Sequence, residues 1–112
     1  MKEILKQYNN SLNQKEEKIE ELNNLCDKLL ELELNEKGNR TSLLKNTDWK
    51  IIYPEEKRVT EKLKVAFVDE ALTELTVEIE WLKNAISKLK REIELCDDKI
   101  SLFKYTIRVL EQ

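Results

Sequence analysis

The sequence contains no histidine, a single glycine (Gly38) and a single proline (Pro54). β-Sandwiches, barrels and doubly wound α/β folds need turn residues at short intervals, which this composition cannot supply. A single glycine also excludes the glycine-rich loops that hold phosphate groups. The absence of histidine removes the commonest general base and a frequent metal ligand. We therefore expect an all-α, non-enzymatic protein with no cofactor, no catalytic residue and no metal site.

Long apolar runs and signal-peptide features are also absent, so we expect a cytoplasmic protein that does not enter a membrane. The net charge is −3, so the chain as a whole has no positive field that would attract nucleic acid or an anionic membrane. The two cysteines, Cys26 and Cys96, are too far apart in sequence for a metal-binding motif. Both fall at predicted core positions of helices, and we expect buried, inert thiols.

The clearest positive feature is an apolar repeat, with intervals of three and four residues, in the second half of the chain. This spacing is typical of a coiled-coil helix, which we place at residues 60–111. Its start is left open between Thr60, a capping hydroxyl, and Pro54, which suits a first helical position. The repeat comprises Val68, Leu72, Leu75, Ile79, Leu82, Ile86, Leu89, Ile93, Cys96, Ile100, Phe103, Ile107 and Leu110.

A second, less regular repeat predicts a first helix at residues 2–37, ending at Gly38, which favours a left-handed cap. The connector, residues 38–59, is too apolar for a solvated linker, and we expect it to cover the start of the second helix. It is interpreted as a short helix with an extended segment or as a small hairpin. The predicted fold is one domain, residues 1–112, an elongated antiparallel helical hairpin of the coiled-coil type. The first repeat comprises Leu5, Tyr8, Leu12, Lys15, Ile19, Leu22, Cys26 and Leu29.

Two surfaces of the second helix are candidates for binding a partner protein. One is a second apolar stripe beside the core positions, which favours either a homodimer or docking of a different protein. The other combines Glu70, Glu74 and Glu78, four residues apart, with Trp81 one turn later. Lysines of the same chain could neutralise these glutamates, or a basic partner could bind them. The second stripe comprises Phe67, Trp81, Leu95, Leu102 and Val109, with Ala71 and Ala85 beside them.

The connector carries basic residues interleaved with aromatic ones, a composition that can bind single-stranded nucleic acid. Asp48, Glu55 and Glu56 dilute this positive charge, and Trp49 is expected to cover the second helix. We therefore disfavour nucleic acid as a partner. The residues concerned are Arg40, Lys45, Lys50, Lys57 and Arg58, with Trp49 and Tyr53.

Two resemblances bear on function. The order of helix, apolar connector and longer helix resembles β-type prefoldin subunits, whose hairpin lies between two coiled-coil helices. Residues 47–112 resemble small helical accessory proteins of phages of low-GC Gram-positive bacteria, through Thr47-Asp48-Trp49-Lys50, Thr60-Glu61, Ala66-Phe67-Val68 and the following Lys/Glu/Ile/Leu-rich helix. The second resemblance implies a protein that binds and inhibits a host protein, including a host defence factor. The alternatives are a prefoldin-like chaperone subunit and a structural coiled-coil spacer.

Overall fold

The computed structural model describes residues 1–112 and contains helices without any strand. The four helices are α1 (Lys2–Asn46), α2 (Trp49–Ile52), α3 (Glu61–Ala71) and α4 (Thr73–Glu111). The prediction of an all-α helical hairpin is confirmed. None of the four helices combines the length and the apolar character that a membrane span requires.

The chain divides into two compact units, and α1 contributes to both of them. It pairs with α4 in the first unit and is joined to α3 in the second. In the first unit, residues 1–27 pair with residues 83–112. Lys15 forms an ion pair with Asp97, and Lys18 Nζ lies 3.2 Å from Glu92 Oε2. Because the earlier lysine pairs with the later carboxylate, the two helices are antiparallel.

The second unit, residues 28–82, contains the end of α1, the connector, α3 and the start of α4. Arg40 Nη1 donates to Asp69 Oδ1 at 2.6 Å and so joins α1 to α3. The ring of Trp49 packs edge-on against that of Phe67, with 5.5 Å between centroids. The prediction that Trp49 covers the start of the second helix is therefore confirmed, whereas Ile51 is 74% exposed and covers nothing.

The core positions predicted for the second helix are largely confirmed. The remaining positions of the repeat are half-buried, except Leu110 at the end of α4, which is exposed. Thr60 caps α3, since its hydroxyl accepts a hydrogen bond from the Leu63 N–H, which selects Thr60 over Pro54 as the helix start. The buried apolar residues are Val68, Leu72, Ile79, Leu82, Ile86, Leu89, Cys96 and Ile100.

The first helix is longer than predicted, because α1 continues through Gly38 and ends at Asn46. Gly38 does not adopt a positive φ, so the predicted left-handed cap is wrong. Glu36 and Arg40 pair across one turn, and Arg40 also binds Asp69, so contacts on both sides of Gly38 support the helix. The helix ends where the Thr47 hydroxyl and N–H both donate to the Leu43 carbonyl.

The second helix, predicted as one element over residues 60–111, is interrupted at Leu72. Leu72 has φ −102° and ψ 12°, outside the usual helical values. The hydroxyl of Thr73 donates to the carbonyls of Asp69 and Glu70, and that of Thr76 donates to the Leu72 carbonyl. Threonine hydroxyls that bind carbonyls of the preceding turn bend helices, which accounts for the interruption.

The rotation of α1 also differs from the prediction. Leu22 and Leu25 are half-buried in the first unit, as are Leu29 and Leu32 in the second. The same spacing of three and four residues continues toward the N-terminus through Lys18 and Lys15 to Ser11. Ser11 is buried. Both lysines are accommodated by their ion pairs, and their methylene groups cover apolar surface. The consequence is that Leu5, Ile19 and Cys26 lie at exposed flanking positions.

The two cysteine thiols should therefore differ in reactivity. Cys26 is exposed, so its predicted burial is wrong, whereas Cys96 is buried as predicted. We expect a thiol reagent to label Cys26 of the native protein quickly. Labelling of Cys96 should be about tenfold slower or more, because it requires local opening. Mass spectrometry of timed samples measures this difference, and Cys26→Ser should remove the fast phase. Equal labelling rates would contradict the assigned rotation of α1.

Candidate functional site

The acidic surface, defined as Glu70, Glu74 and Glu78 together with Trp81, lies on α3 and α4 within the second unit. All four side chains are exposed. None of the three carboxylates forms an ion pair or a side-chain hydrogen bond with the chain. The interpretation in which basic residues of the same chain neutralise the acidic run therefore does not hold for Glu70, Glu74 and Glu78, whereas Asp69, in the same run, pairs with Arg40. The charges of the three glutamates are left to solvent or to a partner.

The neighbouring acidic residue, Asp69, behaves differently because it faces α1. Its carboxylate accepts a hydrogen bond from Arg40, which also lies 3.3 Å from Glu36. The hydrogen bond from Arg40 to Asp69 is the main cause that raises the pKa of the arginine above its ordinary value. Arg40 is thus already neutralised by two carboxylates, and it joins two helices rather than offering a free cation.

Trp81 is the most exposed large apolar residue of the chain, with 76% of its surface accessible. Val77, one turn earlier on the same face of α4, is also exposed, and Glu74 precedes it by three residues. The ring of Trp81 has no aromatic or cation–π contact, in contrast to Trp49, which packs against Phe67 and lies beneath the ammonium of Lys64. The outer face of α4 therefore presents an indole ring beside unneutralised carboxylates.

Val77 was missed by sequence reasoning, which considered two positions of each heptad outside the core and not the one that Val77 occupies. The signal was present, because Glu70, Glu74, Val77 and Trp81 recur at intervals of three and four residues. Such spacing places side chains on one face of a helix. The structure thus brings the predicted glutamates and Trp81 together with one additional apolar residue.

The C-terminal apolar surface, defined as Leu95, Leu102, Tyr105 and Val109, lies on α4 within the first unit. All four side chains are at least half exposed. They occupy the face of α4 opposite Cys96 and Ile100, which are buried against α1. Tyr105 was not among the predicted residues, although it lies three residues after Leu102 and four before Val109. Phe67, the first residue of the predicted second stripe, differs from these residues because its ring packs against Trp49.

Two aromatic residues and one basic residue of the connector make contacts within the chain. Arg40 is held by Glu36 and Asp69, and the ring of Trp49 is covered by Phe67 and Lys64. The hydroxyl of Tyr53 donates to the Leu63 carbonyl. The aromatic residues thus attach the connector to α3, whereas the other basic residues of the connector, Lys45, Lys50, Lys57 and Arg58, are exposed.

The chain contains no group of three or more cysteine or carboxylate side chains that could hold a metal ion. Asp97 and Asp98 are adjacent in sequence, but Asp97 pairs with Lys15 of α1 whereas Asp98 is exposed on another face. The acidic surface and the C-terminal apolar surface present an indole ring, aliphatic side chains and carboxylates, which are groups that can bind another protein.

Comparison with known proteins adds no relative to these observations. The connector contains one helical turn rather than the hairpin implied by the resemblance to β-type prefoldin subunits. The resemblances stay predictions, and the chain matches no known protein family, no curated protein sequence and no solved structure.

Proposed function

We propose that this protein is a non-enzymatic binding module that docks a protein with a basic surface onto its acidic surface. The observation that carries the proposal is Trp81, whose indole ring is 76% exposed next to glutamates that no cation of the chain neutralises. Tryptophan is enriched among the residues that contribute most to binding energy at protein interfaces. The partner would supply an apolar pocket for the ring and lysines or arginines around it.

The electrostatic part of this proposal follows from the position of the glutamates. Glu74 and Glu78 repel each other across one helical turn, at a cost of a few tenths of a kcal/mol. A basic partner relieves this repulsion and is attracted at long range, so its association should be fast and weakened by salt. Trp81 would then contribute to the lifetime of the complex, because its desolvation is independent of salt.

We extend the proposal to a host protein that is inhibited when its basic surface is occupied. This extension is supported by the resemblance of residues 47–112 to phage accessory proteins. A prefoldin-like chaperone would instead bind unfolded clients through exposed apolar residues at helix ends, and a spacer would have no dissociable partner of this kind. The dependence of binding on salt and on particular glutamates distinguishes these functions.

The acidic surface is tested by replacing Glu70, Glu74 and Glu78 together with glutamine. We expect capture of the partner from a Gram-positive bacterial lysate to fall about tenfold or more, because its basic residues lose their counter-charges. Trp81→Ala should reduce capture by a similar factor while changing the free energy of unfolding by less than about 0.5 kcal/mol. Quantitative mass spectrometry of the bound proteins and a thermal melt provide the two measurements.

The matched control removes three negative charges elsewhere, by glutamine substitution of the exposed Glu16, Glu20 and Glu31 on α1. It has the same net charge as the test variant, so it should retain the partner. The supporting result is a protein lost from the test variant and from wild-type beads at high salt, but kept by the control. If no captured protein depends on the three glutamates or on Trp81, the proposed function is wrong.

A further inference from the structure

We infer that the C-terminal apolar surface binds a second copy of this chain, with the two α4 helices antiparallel about a two-fold axis level with Ile100. The inference is independent of the proposed function, which uses another surface. It begins from Leu102, Tyr105 and Val109, which form a continuous exposed row, with Leu95 two turns before Leu102. Contiguous exposed apolar patches often mark sites of protein–protein interaction.

The spacing of three residues of this surface, taken together with Asp98 between them, fits its own reversal. Leu95, Asp98, Leu102 and Tyr105 are separated by three, four and three residues, a pattern that reads the same in both directions. A two-fold axis level with Ile100 therefore places Leu95 against Tyr105 of the second copy and Leu102 against Asp98 of the second copy. This is the condition for an isologous interface, in which one surface serves both partners.

The charges that flank the row favour this arrangement. Glu94 lies on one side near its beginning, and Arg108 lies on the same side near its end. In an antiparallel pair, Glu94 meets Arg108 of the second copy, and the symmetry forms this ion pair twice. Neither residue has an ion pair within its own chain.

Asp98 distinguishes this orientation from a parallel one. A parallel pair would place the two Asp98 carboxylates against each other within the apolar row, which is unfavourable. In the antiparallel pair, Asp98 lies beside Lys99 of the second copy, and the two lysines near the axis are thereby neutralised. The aliphatic part of Arg91 then covers Val109 of the second copy at either end.

The expected dimer is weak. A single helix face of this length buries less than the ~1,200 Å² of total surface that is typical of stable interfaces. We expect a dissociation constant on the order of tens of micromolar, measured by analytical ultracentrifugation of the full chain between about 1 μM and about 1 mM. A monomer throughout this concentration range would overturn the inference.

A charge exchange tests the orientation. Glu94→Arg and Arg108→Glu should each weaken dimerisation about tenfold, since each creates two pairs of like charges across the interface. The double variant restores both ion pairs in the reversed sense and should recover wild-type dimerisation. Both residues are exposed, so thermal melts of all three variants should resemble that of the wild type. Failure of the double variant to recover would show that this antiparallel register is wrong.

The apolar part is tested by Leu102→Asp, which should abolish dimerisation because it removes an apolar side chain next to the axis and places a carboxylate against Asp98 of the second copy. The control is Ser101→Asp, which adds the same charge at the neighbouring exposed position and should leave the apolar contacts in place. A dimer of wild-type affinity in the Leu102→Asp variant would show that the copies associate elsewhere. That outcome would leave the acidic surface and its proposed partner unaffected.

Discussion

Replacement of Leu89 by aspartate is expected to destabilise the protein severely. Leu89 is 4% exposed in the first unit, where α4 packs against α1. An aspartate there would bury an unpaired carboxylate and remove the leucine contacts, at a combined cost of about 4 kcal/mol or more. Because domains of this size have a free energy of unfolding of about 5–15 kcal/mol, a large share of the stability would be lost.

The matched control for this substitution is Ser87→Asp. It adds the same charge to the same helix two residues earlier, at an exposed position. We expect its free energy of unfolding to stay within about 0.5 kcal/mol of the wild-type value. Circular dichroism during urea titration measures both variants. If Leu89→Asp and Ser87→Asp were equally stable, the assignment of the buried face of α4 would be wrong.

Replacement of Gly38 by proline is expected to destabilise the protein by about 3 kcal/mol or more, because proline in a helix interior removes a hydrogen bond and clashes with the preceding turn. This cost applies since α1 continues through Gly38 to Asn46. The effect should appear as a loss of helical signal and a lower urea midpoint. Leu43 and Leu44 follow Gly38 in α1 and are half-buried in the second unit. A break at Gly38 would expose them.

Gly38→Ala is the informative companion to the proline variant. No heavy atom lies within 4 Å of a Cβ added at this position, and the backbone φ is negative. Alanine should therefore stabilise the protein by about 0.5–1 kcal/mol through its higher helix propensity. If Gly38 were instead a left-handed cap, alanine would destabilise the protein, so the sign of the change distinguishes the two structures.

The candidate site was partly predictable from the residues alone. The spacing of Glu70, Glu74, Glu78 and Trp81 placed them outside the core positions, and the structure leaves all four exposed. The absence of a compensating lysine could not be predicted. It depends on which residues of α1 lie opposite, and the arginine that does so, Arg40, pairs with Asp69.

The sequence by itself determined the helical class and the buried face of the second helix. A scarcity of glycine and proline prevents frequent turns, and the regular apolar repeat from Val68 to Ile100 leaves one face to bury. These are local properties that every turn of the helix repeats. For that reason the burial of residues such as Ile79, Leu82 and Ile86 follows from their spacing.

The tertiary structure alone decided where α1 ends, how it is rotated and where the second helix is interrupted. Gly38 weakens a helix by only about 1 kcal/mol, so contacts of Arg40 with Glu36 and Asp69 can carry α1 past it. In its observed rotation, α1 places Lys15 and Lys18 in ion pairs with Asp97 and Glu92, which are far away in sequence. Weak local preferences yield to such distant contacts, because neither the contacts nor their energies are present within a single helix.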